Sequence, residues 1–300
     1  MNLAIKFSND YINITEQSVK STGLQIHKCV RGKMPEGAFD NGIVVNTNLL
    51  ADALKKLLKE QKIRSKRVVL CISGVDVIQR EIKIPRSAAR HVRKLLKNEL
   101  VKMDAQRSNY LFDYIEGEEN PGEELQSYIV YMLPTELIRN YEQTLRRAGL
   151  ELERVEPVSR SMEKISTLLG LDKKEKLTIL VDADSSCLDI MMSGSSMKNV
   201  YKNIQIKEEN IEENVFIVSA IQNISGNTDP SERVLSRLVD AVSRLMQFQS
   251  QNSRGGTVDQ ILVYGEMAER EDFVEKLSKR TGKTVNCCKI EGEKVRYNGV

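Results

Sequence analysis

Short apolar runs separated by polar turns open the chain, and the same pattern returns near its middle. Leu3–Phe7 reads as an apolar strand, Asn9-Asp10 as a turn, and Tyr11–Glu16 with Leu24–Val30 as the strands running back. Leu177–Val181 reads as a second such strand, turning at Asp182–Ser186 into Cys187–Met192 and Met197–Tyr201. Each meander is followed by helices and a further strand. The pattern therefore predicts two like α/β halves.

In the first half, Thr47 is the expected cap of a helix whose Leu49, Leu50, Ala53, Leu54, Leu57 and Leu58 recur at helical spacing. Val68–Ile72 is apolar without alternation, as in a strand buried on both faces. The pattern changes at Val77. Ile78, Ile82 and Ile84 alternate with polar neighbours, which predicts a half-exposed strand. Ser87 then opens a basic amphipathic helix over roughly Ala88–Lys102, and Tyr110–Ile115 pairs with Ser127–Leu133 as a hairpin. Pro134-Thr135 starts a helix closed by Gly149, and Leu150–Glu156 returns as a strand. Residues 77–156 thus read as one block inserted into the first half. Pro157 starts a helix ending at Gly170. In the second half Asn203–Asn227 carries little pattern, and Asp229-Pro230 opens a long helix. Ile261–Tyr264 is a strand, Ala268–Thr281 a helix capped by Gly282, and Val285–Cys288 the closing strand.

Composition narrows the class. With 300 residues, 40% apolar and 29% charged, the chain supports a large core in one or two domains. A net charge of +3, with Lys and Arg spread among Asp and Glu, excludes a basic nucleic-acid face. The Met-Asn-Leu-Ala-Ile-Lys start lacks the pattern of a signal peptide, and no apolar run is long enough to span a bilayer. The five cysteines have no CxxC spacing, three of them read as small hydrophobes in apolar strands, and together they imply a reducing cytoplasm. Two distant histidines make a His-based metal site unexpected, and no Ser-His-Asp or Cys-His pair is supported. His91 and Glu99 read as surface residues.

A repeated strand–turn–strand unit resembles the plan of the actin and hexokinase ATPases, in which two halves clamp a nucleotide between glycine-bearing phosphate turns. The order of segments is more specific. Gly42-Ile43-Val44, the Leu-rich helix, Lys66–Leu70, Val77–Pro85, the helix carrying Glu99, Phe112-Asp113-Tyr114, Asp229–Phe248 and Ile261–Gly265 resemble the PilM family of type IV pilus assembly, and more distantly FtsA, over nearly the whole chain. The resemblance implies an actin-like (ribonuclease H-like) two-lobed α/β fold with an inserted SHS2-type subdomain. It implies subdomain IA at 1–76 and 157–172, subdomain IC at 77–156, and subdomain IIA at 173–300 with a reduced IIB at about 203–228.

The family pattern has an acidic residue and two glycines near Ala4, Lys6 and Ser8, and glycine where Asp184 stands. This chain lacks all of them, and Gly265 is followed by Glu266 rather than a second glycine. By resemblance Lys6, Ser8, Asn9, Asp182, Ser185, Ser186 and Gly265 line the nucleotide site, with ATP and Mg²⁺ expected to bind weakly or not at all. The plainer reading makes Lys6 an exposed strand residue, and Asp182 and Asp184 parts of a solvated turn in which nothing offsets Asp184's charge. The expected role is a non-enzymatic cytoplasmic scaffold at the inner face of the membrane. It docks the N-terminal peptide of a PilN-like inner-membrane protein between subdomains IA and IC. The partner groove is expected at Ile78, Arg80, Ile82, Arg93, Leu96 and Lys97, from the strand and basic helix of the block. The alternative is an actin-like ATPase that polymerises or cycles with ATP.

Overall fold

The computed structural model describes the chain except residues 21–22, 75–76, 104–108, 118–121, 123, 174, 196, 207–228, 253–257, 290–294 and 298–300. Its first meander is β1 (Asn2–Phe7), β2 (Tyr11–Lys20) and β3 (Gly23–Lys33). A ribbon of β4 (Phe39–Asp40) and β5 (Ile43–Val44) leads into α1 (Thr47–Glu60), which buries Leu50, Ala51, Leu54 and Leu58. The cap of α1 is Asn46 rather than Thr47, because the Asn46 side chain reaches the Leu49 amide at 3.1 Å. β6 (Arg67–Ile72) follows, then β7 (Ile78–Pro85), a short 3₁₀ turn at Arg86–His91, and α2 (Val92–Met103). β8 (Tyr110–Glu116), β9 (Leu125–Pro134), α3 (Thr135–Arg147), β10 (Glu151–Pro157) and α4 (Val158–Leu168) complete this half.

The second meander is β11 (Leu177–Ala183), β12 (Cys187–Gly194) and β13 (Met197–Gln205). After it come α5 (Pro230–Asn252), β14 (Val258–Tyr264), α6 (Glu271–Thr281), β15 (Thr284–Cys287) and β16 (Val295–Tyr297). The two main sheets share one plan. Strand order is β3-β2-β1-β6-β10 in the first lobe and β13-β12-β11-β14-β15 in the second. In each, an antiparallel meander is extended by two parallel strands beside its first strand. Parallel strands need long crossovers, which helices supply. β11 is buried at every residue, as a central strand covered on both faces should be.

Each lobe has its own core. Leu3, Ile5, Ile12, Ile14, Leu50, Leu54 and Leu70 belong to the first; Ile179, Val181, Ile190, Leu238, Val242 and Ile261 belong to the second. A smaller cluster joins the lobes, where Val158 and Met162 of α4 pack with Leu180 and Met191, backed by Cys71 and Tyr264.

The inserted block is smaller than the sequence pattern suggests. Its own sheet has order β7-β9-β8, and α2 covers one face through Ile82, Ile84, Val92, Leu96, Tyr128, Val130 and Met132. α3 and β10 belong to the first lobe. Leu137, Tyr141 and Leu145 lie in the first lobe's core, and β10 runs parallel to β6. The strand–helix alternation is the same in either arrangement, so periodicity alone does not locate the boundary. The chain also continues past the strand expected to close it. β16 adds to the first lobe's sheet, parallel to β3, with Val295 opposite Leu24. Most of the weakly patterned 203–228 segment, residues 207–228, lies outside the described residues.

This division has a consequence for local stability. Leu96→Ala empties a fully buried position of the small sheet and is expected to cost about 2–5 kcal/mol locally. Hydrogen exchange should quicken across β7 and β9, while α3 and β6 amides stay as protected as in the native chain.

Candidate functional site

In open α/β sheets, ligands sit beyond the carboxyl ends of the parallel strands. The carboxyl ends of β1 and β11 meet here across the lobes. Lys6, near the end of β1, places its ammonium 2.6 Å from Asp182 Oδ2 and 2.8 Å from Asp184 Oδ2 of the other lobe. Both aspartates are buried, at 5% and 7% exposure, and the Lys6 side chain is 18% exposed. This corrects the plainer sequence reading: Lys6 is not an exposed strand residue, and Asp182 and Asp184 are not in a solvated turn. The charge of Asp184 is offset, from the opposite half of the chain.

Asp189 on β12, directly across from Asp182, adds a third buried carboxylate. It accepts hydrogen bonds from Ser73 Oγ at 2.6 Å, from Asn203 Nδ2 at 2.7 Å and from the Tyr201 hydroxyl. Three carboxylates thus share one ammonium. Burial, reinforced by Asp184 and Asp189 and opposed by Lys6, lifts Asp182 to about 7. Burial alone would lower Lys6, but Asp182 and Asp184 hold it well above its ordinary value. Burial also pushes the Cys71 and Cys187 thiols up, to about 11 and about 12, so neither is a thiolate nucleophile or ligand.

The turns themselves are satisfied internally. The Ser8 amide donates to the Tyr11 carbonyl at 2.9 Å, and the Ser8 hydroxyl accepts from the Tyr11 amide at 3.1 Å. Asn9 Oδ1 accepts from the Asn41 amide at 2.8 Å. The Ser185 amide donates to Glu266 at 3.4 Å, and its hydroxyl donates to Asp10 of the first turn. The Glu266 amide donates to Asp184 Oδ1 at 3.3 Å. The Ser186 carbonyl accepts from Ile206 at 2.8 Å. Gly265 closes this corner with φ +91°, and a Cβ there would lie 2.6 Å from Asp182 Oδ1 and 2.9 Å from the Ala183 carbonyl oxygen. Outside the turns lies an open cleft of about 1570 Å³, whose walls include Asn9, Asp10, Lys33, Asn41, Ser186 and Arg233.

These residues do not fit a metal-bound nucleotide. The Ser185 and Glu266 amides already serve carboxylates, and Lys6, the cation between the turns, is already paired with Asp182 and Asp184. Among the described residues, no group of three or more His, Cys, Asp or Glu is placed to hold a metal ion. Sequence reasoning brought Lys6, Asp182, Ser185 and Gly265 to this place and missed Asp10, Asp189 and Glu266. The tight spacing of Asp182, Asp184 and Asp189 was the available signal.

The expected partner residues divide. Ile82 and Leu96 face the inserted block's own core, at 6% and 0% exposure, so neither lines an open groove, and Ile78 packs half-buried against the same core. The alternation that marks an amphipathic strand and helix is the same whether the apolar face meets a partner or its own sheet. Arg80, Arg93 and Lys97 are exposed, and Arg93 lies 5.0 Å over the Phe112 ring, with Asp113 at 3.4 Å. The opposite face of the small sheet carries Leu111, Ile115, Ile129, Tyr131 and Leu133, set side by side by the β8–β9 register. Leu111 is 50% exposed. The Tyr131 hydroxyl is buried without a hydrogen-bond partner. Burial raises its pKa to about 12, and the charges that act on it are Glu163 and Arg160 of α4 and Glu156 of β10, so this face looks onto the first lobe.

A family model for the type IV pilus assembly protein PilM matches residues 4–205. Among solved structures, the PilM–PilN type IV pilus biogenesis complex is similar at a TM-score of 0.78 and 14% identity, covering 99% of this chain and 90% of that one. The ethanolamine utilization protein EutJ from Carboxydothermus hydrogenoformans is similar at 0.50 and 11% identity, covering 95% and 83%. None of the curated proteins matches the chain. The likenesses show the actin-like two-lobed α/β fold. No described helix is long and apolar enough to cross a membrane.

Two expectations follow from the geometry. The raised Asp182 pKa means that the folded chain holds a proton the unfolded chain has lost, from about pH 4 to about 7. Its contribution to stability is therefore present below pH 4 and declines as pH rises through 7. Relative to Asp182→Asn, the native protein should lose about 2–4 kcal/mol between pH 5 and pH 8, read by denaturant melts at each pH. Gly265→Ala should cost at least about 2 kcal/mol, because a left-handed backbone position and a crowded Cβ act together; the same melts measure it.

Proposed function

The chain belongs to the type IV pilus assembly protein PilM family, and from that premise we propose that it is a cytoplasmic scaffold of a pilus assembly platform, docking a short peptide from a PilN-like membrane protein. The peptide lies between the small inserted sheet and the first lobe. In the terms of the family, subdomain IC is the sheet with α2, IA is the first lobe, and the second lobe is IIA with part of IIB. Membrane association comes through the partner, at the inner face. The similar solved structure, a complex of PilM with PilN, supports the choice of partner.

The observation that carries the reading is the Tyr131 hydroxyl. It is a buried donor with no partner, on an apolar face turned toward α4. An unpaired buried hydroxyl costs about 1–3 kcal/mol, and a peptide carbonyl would satisfy it. Exposed Leu111 and half-buried Ile115 and Ile129 beside it suit apolar anchors on an extended segment. Arg80, Arg93 and Lys97 lie outside this face and are proposed to contribute only long-range charge. The ATPase alternative is disfavoured by the internally satisfied turns.

Fluorescence anisotropy with the cytoplasmic N-terminal peptide of a PilN-like membrane protein tests this. Leu111→Arg is expected to weaken binding at least tenfold, about 1.4 kcal/mol. Tyr131→Phe is expected to weaken it about fivefold, from the lost hydrogen bond. Full affinity in both variants would place the peptide elsewhere.

A further inference from the structure

In a two-lobed clamp something must hold the halves together at the turns, because each lobe buries its own core and the shared apolar cluster centres on α4. We propose that this chain supplies that bridge itself: the Lys6 ammonium is the resident cation between the turns, the carboxylates of Asp182, Asp184, Asp10 and Glu266 take the places of anionic ligand groups, and the lobes stay joined there without any ligand.

The hydrogen bonds pair off accordingly. Lys6 serves Asp182 and Asp184, the Ser185 amide serves Glu266, the Ser185 hydroxyl serves Asp10, and the Glu266 amide serves Asp184. Three of these bonds cross between the lobes, two from Lys6 and one from Ser185 to Asp10. Ser73 to Asp189 is a fourth crossing at the same level, and Arg31 to Glu269, at 2.7 Å, is a fifth on the surface. The crossing is reinforced covalently, since the chain leaves β15 in the second lobe and returns as β16 in the first lobe's sheet. A metal ion entering between Asp182 and Asp184 would have to expel Lys6, and an entering phosphate would have to displace two carboxylates from the amides they occupy. Each exchange trades an intramolecular pair for an intermolecular one, at the loss of translational freedom. The meeting of the two turns is therefore a joint rather than a ligand switch. This inference stands apart from the peptide-docking reading, since groove and joint share no residue.

Hydrogen exchange on the full-length protein tests it, read at the Ser185 and Glu266 amides. Lys6→Met is expected to quicken exchange at both at least tenfold, with β6 and β14 core amides unchanged. Exchange within twofold of native at both joint amides would overturn the proposal. Should Lys6→Met not fold, the double variant Lys6→Met/Asp184→Asn removes one charge of each sign and keeps the cluster's net charge. It is expected to fold with the joint amides exposed, and native-like protection of the Ser185 amide in it would overturn the proposal equally.

Discussion

The Lys6 ammonium lies 2.6 Å from Asp182 and 2.8 Å from Asp184, which are 176 and 178 residues away in the chain and in the other lobe. Charges this buried are expensive to desolvate, and a buried pair adds little net stability over well-packed apolar residues. Its effect is one of position. Removing Lys6 leaves the carboxylates uncompensated, at about 3–5 kcal/mol, so the lobes have one favourable arrangement. The surrounding details serve that arrangement. Gly265 lets its turn press on Asp182, and Ser73, Tyr201 and Asn203 hold Asp189. Asp10 takes the Ser185 hydroxyl.

Around this joint the protein is built from one plan used twice, with a third small sheet set into the first copy. The repeat accounts for the meeting of β1 and β11: each is the strand at which its sheet changes from antiparallel to parallel pairing. The insertion leaves that joint untouched and offers a second surface, where Tyr131 faces α4 of the first lobe and Leu111 is exposed beside it. The proposed joint suits the proposed scaffold, because a docking surface beside the first lobe would keep its shape if the lobes do not cycle.

Much of the architecture was legible. Apolar strands and polar turns revealed both meanders, and Gly149 and Gly282 marked helix ends with the left-handed φ values that glycine provides, +79° and +63°. What was not legible depended on distant chain segments. Lys6 reads as exposed on its own strand because its burial is created by the second lobe. Leu96 and Ile82 read as partner contacts because an amphipathic pattern does not say what the apolar side meets, and here it meets the block's own sheet. α3 looked like part of the insertion because only pairing and core membership separate it. β16 is three residues long, too short for any periodicity. Of the residues that meet there, Lys6, Asp182, Ser185 and Gly265 were named through the family resemblance. Asp189 and Glu266 were missed because only the fold brings them beside Asp182 and Asp184.

The central claim is that the chain's own side chains occupy the place where an actin-like clamp would hold a nucleotide. Calorimetric titration of the native protein with Mg-ATP tests it most directly. The expected result is no saturable heat, with a dissociation constant weaker than about 1 mM, or about −4 kcal/mol. A dissociation constant of about 10 μM or tighter, near −7 kcal/mol, would contradict the account.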